Sequence, residues 1–168
     1  MAKNPYASIK EYFTYVNEVS ERSNKFLPGF FYAYEYRFPH DKPFKELKFY
    51  DKYPLIFLIG PGKAANTYIG LNFHQIPVRS RLIWLTRFNK IAGILNEDER
   101  VYMYYESIKS MYKKAVHGVR VYRLDRVYTL RRIDSTKMYD ISRFYAKTYY
   151  GVSVEAINIR YAQDDTRR

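Results

Sequence analysis

The sequence predicts an α+β fold, a small twisted antiparallel sheet or partial β-barrel flanked by helices. Three observations carry this. Residues 30–38 (FFYAYEYRF) alternate and are rich in aromatics, as strands are. Two further runs, 54–59 (PLIFLI) and 67–75 (TYIGLNFHQ), are joined by a short Gly-Pro-Gly segment. Apolar residues recur at helical spacing both before and after this block. Three strands with tight connections favour a strongly twisted sheet or a partial barrel.

The elements follow in order. Ser8 and Glu11 have capping-box spacing, and Ile9, Tyr12, Phe13, Val16 and Val19 share a helical face. This helix should stop near Lys25, before Pro28-Gly29. Residues 40–43 read as a turn, and Leu47, Phe49 and Tyr50 lie in a short connection to the second strand. Gly60-Pro61-Gly62-Lys63 reads as the tip leading to the third strand. Pro77 suits the start of a helix with Leu82, Leu85, Phe88 and Ile91 on one side. Asn96 and Glu99 cap another helix, carrying Val101, Tyr104, Tyr105, Ile108, Met111 and Tyr112 and ending at Gly118. The first part of 119–133 reads as a helical turn and 127–133 as a strand. Residues 137–150 and 152–161 fit either a helix or an edge strand, and 163–168 a frayed tail. The expectation is one domain over 1–168: an N-terminal helix in 1–29, a β-rich core in 30–77, a helical pair in 78–118 and a mixed part in 119–168.

Composition narrows the function classes. A chain of 168 residues can bury a core without staples, and the absence of cysteine excludes disulfides, thiolate nucleophiles and Cys-based metal sites. The N-terminus lacks an uninterrupted apolar stretch of the kind a leader needs, and 55–59 is far too short to span a bilayer, so no membrane partner is expected. Charge is the strongest signal. Twenty-nine Lys and Arg face seventeen Asp and Glu, a formal net charge of +12. Such self-repulsion is usual in proteins that meet an anionic partner, here DNA or RNA. The twenty tyrosines either complete a leucine-poor core or offer stacking faces to unstacked bases.

Motifs for catalysis are weak. Gly60-Pro61-Gly62-Lys63 lacks the Walker spacing and precedes a strand instead of a helix, so a hairpin tip is the better reading. His40, His74 and His117 are scattered. Glu46 and Lys48, with Asp41 and Asp51, have a local form that metal-dependent nucleases use, but the spacing does not put the carboxylates on neighbouring strands. No catalytic residue, metal or cofactor is assigned, and the chain does not read as an enzyme.

The basic residues are more informative. Arg79, Arg81, Arg87 and Lys90 lie on and just after one predicted helix, and Lys113 and Lys114 close the next. Arg120, Arg123, Arg126, Arg131 and Arg132 follow, with Asp125 the one acid among them. Arginine forks match phosphate oxygens and stack on bases, so these eleven are the candidate nucleic-acid contacts. No pattern for reading base edges is visible, so binding without sequence preference is expected.

Three segments also resemble a known group. These are 31–36 (FYAYEY), 49–56 (FYDKYPLI) and 68–77 (YIGLNFHQIP), followed by the Arg/Leu-rich stretch 79–85. Together they are similar to proteins of large tailed phages, many of them identified as DNA end protector proteins. The likeness covers about residues 30–85, with GLNFHQIP its most specific part and Gln75 a departure from the usual aromatic. It implies a phage protein, in the virion or the host cytoplasm, associated with genome ends or packaged DNA. Two alternatives stay open: a structural neck or connector component binding other virion proteins, and an inhibitor of a host nuclease or polymerase. Within the motif, Gly70 would allow close packing or a bulge. Asn72 and His74 would bond a neighbouring loop, with Asp51 a candidate partner, and Pro77 would end the strand and open the helix.

Overall fold

The computed structural model describes residues 9–37, 53–111 and 118–143. Its elements are helix α1 (Ile9–Val19), strands β1 (Ser20–Arg22), β2 (Phe31–Tyr36), β3 (Leu55–Pro61) and β4 (Thr67–Asn72), helices α2 (Val78–Phe88) and α3 (Glu97–Met111), strands β5 (Val119–Arg123) and β6 (Val127–Ile133), and the short helix α4 (Met138–Ile141). The strands form one antiparallel sheet in the order β1-β6-β2-β3-β4-β5. The α+β expectation holds, and the sheet is twisted and open.

Its curl follows from chain connectivity. β5 is an edge strand and β6 lies four strands away, yet only Leu124–Arg126 joins them. Crossing a flat sheet of that width would need roughly 19 Å, and four Cα–Cα steps reach at most about 15 Å. The sheet therefore rolls until the two strands nearly meet. Two bulges bend it. β6 gives three steps, Arg131 to Tyr128, for two on β2, and β3 carries an extra residue between Leu58 and Gly60. Thr129 in the first bulge has φ of 53°, a conformation β-branched residues seldom take. Backbone bonds seal the rolled end: Arg37 N–H to Arg126 O at 3.0 Å and Leu124 N–H to Asn66 O at 2.8 Å.

The two faces of the sheet bury different residues. On the outer face Phe31, Leu55, Phe57, Leu71 and Ile133 meet Tyr12 and Val16 of α1, Trp84, Leu85 and Phe88 of α2, and Tyr104 and Ile108 of α3. Inside the curl lie Tyr32, Tyr34, Tyr36, Ile56, Leu58 and Tyr122, with Phe26 laid across them. The alternation of β2 does this directly, sending even-numbered tyrosines inward and Phe31 outward. These tyrosines are therefore a second core. Tyr36 also binds across the roll, its hydroxyl accepting Arg123 N–H at 3.0 Å.

Several expectations need correction. α1 stops at Val19 and not near Lys25, because Ser20–Arg22 leaves it to pair with β6. The third strand ends at Asn72, whose side chain accepts His74 N–H at 2.9 Å and opens a 3-10 turn, Phe73–Gln75. Val119–Arg123 is a strand, held to β4 along its length, and the turn falls later, at Leu124–Arg126. The Gly60–Lys63 stretch is a hairpin connection: Gly62 N–H bonds Thr67 O at 2.8 Å. Asn96 and Glu99 do form the reciprocal capping box, both bonds being 2.9 Å. The readings of 40–43, of Leu47, Phe49 and Tyr50, and of everything beyond 143 lie outside the described residues.

Candidate nucleic-acid interface

Two of the eleven candidate residues are engaged by neighbouring protein oxygens. Arg81 is completely buried. Its Nε donates to Ile76 O at 2.6 Å, Nη1 to Ser142 O at 2.9 Å and Nη2 to His74 O at 3.4 Å. It ties α2 to the turn before it and to the end of α4, and cannot reach a phosphate on the surface. Arg131 is half-buried. Its Nε donates to Ser20 Oγ at 2.6 Å, and Nη2 to Asn17 O at 2.9 Å and Ser20 O at 2.7 Å. A cation on the last carbonyls of α1 is favoured by the helix dipole, so this side chain closes the helix. Full burial overturns the expectation of phosphate contact for Arg81, and Arg131 is engaged at the end of α1.

The remaining cations fall in three places. On α2, burial of Val78, Arg81, Trp84, Leu85 and Phe88 turns Arg79, Ile83, Thr86 and Arg87 outward, and Lys90 continues that exposed stripe. From 79 to 90 the stripe is about 16 Å long at 1.5 Å per residue. α2 holds no acid, and Arg79 in its first turn opposes the helix dipole while Arg87 in its last turn suits it.

The second group stands at the rolled end. Arg123 is exposed but forks onto Asp125, with Nε–Oδ1 at 3.0 Å and Nη2–Oδ2 at 2.7 Å. That bond holds the Asp125 carboxyl below its usual range and raises the Arg123 pKa. Arg126 is half-buried beside it. Arg37, which sequence reasoning passed over, sits here too, 3.9 Å above the Tyr128 ring and paired with Glu35 at 3.1 Å. Exposed pairs of this kind are weak, and a phosphate competes readily with the carboxylate. Arg120 is half-buried on β5, with Nη1 on Val119 O at 2.8 Å.

The third group is a cleft of about 540 Å³ between β1–β6, the 28–31 turn, α2 and α3. Pro28 followed by Gly29 at φ of 83° is the pairing a type II turn needs, and it delivers Phe30 to the cleft. Arg100 of α3 and Arg132 of β6 stand over the Phe30 ring, at 5.1 and 5.4 Å from its centroid. Phe30 and Arg100 were not singled out in the sequence, since 70 residues separate them and nothing local joins them. Lys113 and Lys114 lie outside the described residues.

Residues 70–76 of the GLNFHQIP stretch are buried. A Cβ on Gly70 would come within 2.8 Å of Ile56 Cδ1, so glycine permits close packing there. His74 is buried and its Nε2 lies 3.3 Å from the Tyr12 hydroxyl of α1, while the proposed partner Asp51 lies outside the described residues. Pro77 precedes α2 as expected. Among the described residues no three His, Asp or Glu gather in a way that could hold a metal. Asp41, Glu46, Lys48 and Asp51 lie outside them, as do His40 and His117. No helix among the described residues is long and apolar enough to cross a membrane.

An open, curled antiparallel sheet, helices on its outer face and arginine-rich patches beside aromatic rings define a basic α+β protein with an exposed cationic surface. Comparison with known families gives the class a name. Residues 7–124 match the family model described as Phage T4 terminal DNA protecting protein, and the chain belongs to that family. It is thus a DNA-associated phage protein. No curated protein and no solved structure matches it.

Proposed function

We propose that the protein binds the ends of phage DNA without sequence preference and without chemistry of its own, shielding them from end-directed nucleases. The observation that carries this is family membership over residues 7–124. The net charge of +12 supports it, as do the exposed Arg79 and Arg87 of α2, Lys90 just after it and the Arg123–Arg126 end of the sheet. Such residues neutralise phosphates and hold a duplex in place, and phosphate contacts carry no sequence information. Occlusion follows from bulk: a protein seated at a terminus denies an exonuclease its entry point. The site of action on this reading is the infected host's cytoplasm, on DNA that arrives with or leaves in the virion.

The test is digestion of linear duplex by a processive exonuclease, beside cutting of closed-circular DNA by an endonuclease. Linear DNA should survive in proportion to bound protein while the circle is cut at its usual rate. Degradation of linear DNA at the protein-free rate, under saturating protein, would overturn the reading.

A further inference from the structure

The cleft around Phe30 combines features that the α2 stripe and the rolled sheet end lack. It is concave and of a size suited to a small ligand: about 540 Å³, within the range of single small-molecule sites. Its floor is core, including Phe31, Phe88 and Ile133, so its walls are held by packing. Two guanidiniums converge on one aromatic ring. Arginine joins a face that packs on rings to fork donors for phosphate, so the exposed Arg132 beside Phe30 gives the cleft both a stacking surface and phosphate donors.

The opposing charges are Glu21 and Asp134. Asp134 is turned onto its own loop, its Oδ1 accepting from Thr136 N at 2.8 Å and Oγ1 at 2.5 Å. Glu21 is exposed on the edge strand opposite Arg132. Arg132 is itself exposed and makes no ion pair with a described residue.

Position adds a third argument. Phe88 and Asn89 line the cleft, and Lys90 follows directly, so the basic stripe of α2 runs up to its rim. A backbone tracked along that stripe arrives at the cleft. The cleft is too small for a duplex but has room for one nucleotide, and a duplex offers an unenclosed nucleotide where a strand ends. Aromatic and guanidinium faces are the surfaces on which splayed bases stack.

We infer that this cleft receives the terminal nucleotide of a DNA strand, its base against Phe30 and its phosphate on Arg132. This rests on the DNA-end reading above and adds to it the place where an end is told from an interior.

The test uses the full chain in competition binding between a linear duplex and a closed minicircle of equal length. Wild-type protein should prefer the linear form; Phe30→Ala should lose roughly tenfold in affinity for it, the scale of one lost base stack, and Arg132→Gln a similar factor through its phosphate contact, with circle affinity unchanged. Phe30→Leu keeps the apolar volume should the alanine variant fail to fold, and Arg132 is exposed, so its replacement leaves the core alone. Equal loss on linear and circular DNA would make these residues general phosphate contacts and overturn the cleft while leaving end protection standing. Variants that keep the full linear preference would do the same. A wild type blind to ends would overturn both readings.

Photocrosslinking gives an independent readout. 5-Iododeoxyuridine at a strand terminus should attach to the peptide holding Phe30, and the same probe at mid-duplex should not. A terminal probe that maps elsewhere overturns the assignment.

Discussion

At the scale of single residues, charge alone does not say what an arginine is for. Arg81 and Arg87 are six positions apart on one helix, yet the first is walled in by three carbonyl oxygens and the second faces solvent. A buried guanidinium satisfied by carbonyls from 74, 76 and 142 is a strut, and its loss strands those acceptors in the interior. Each buried acceptor left unmet costs about 1–3 kcal/mol, so Arg81→Met is expected to lower unfolding free energy by roughly 3 kcal/mol or more. Arg87→Gln should change stability by less than about 0.5 kcal/mol and weaken DNA binding instead. Urea denaturation of both variants checks this, and equal stability losses would show that the buried contacts are not what holds Arg81. The helical spacing of 79–90 was readable in the sequence. The inward turn of Arg81 was not, because its partners come from a turn and a second helix that only tertiary folding brings near.

At the scale of elements, strong patterns were legible and short ones were not. β2 and β3 announced themselves by alternation or continuous apolar character, and the Asn96/Glu99 cap by its spacing. β1 has three residues and follows a helix without a break in polarity, so its pairing with β6 left no local mark. β5 buries only Tyr122 of its five residues, out of phase with its Val119-Arg120-Val121 alternation, and Val121 is exposed. The connection from β6 to α4 shows how such a link is fixed. The Asp134 carboxylate holds Thr136 by both its hydroxyl and its backbone N–H, and these two bonds, the hydroxyl first, put its pKa below the usual carboxylate range. The folded state thus binds the proton less readily than the unfolded chain. The resulting stabilisation is complete above the ordinary carboxylate range and fades as pH falls through the depressed value. Wild-type stability should therefore drop below about pH 4 partly through this group, and Asp134→Ala should be less stable at neutral pH with a flatter acid limb. Because the side chain is exposed, the difference should be small. Parallel pH–stability profiles for the two proteins would refute the assignment.

For the whole molecule, the three-residue link between β5 and β6 does most to set the shape. It forces the sheet to roll, the roll encloses the tyrosines as a second core, and both bulges serve it. A twisted sheet or partial barrel was foreseeable from tight connections. The return of β6 to the far side was not, since 127–133 carries no sign of its partner β2. The Phe30 cleft was equally hidden, because its arginines arrive from α3 and β6. With Arg81 and Arg131 engaged by protein oxygens, the basic surface is narrower than the count of arginines implies, and the stripe of Arg79, Arg87 and Lys90 becomes its best-defined part. Each phosphate neutralised releases counterions, and affinity for duplex DNA falls with salt by about 0.9 logarithmic units per contact. Changing all three to glutamine should make the slope of log Kd against log salt shallower by roughly 2 to 3. The fold should change little, since all three are exposed and losing Arg79 from the positive end of α2 offsets losing Arg87 from its negative end. Anisotropy with a short duplex across a salt series measures the slope directly. A triple variant with the wild-type slope would move the phosphate contacts away from α2, to the Arg123–Arg126 end of the rolled sheet.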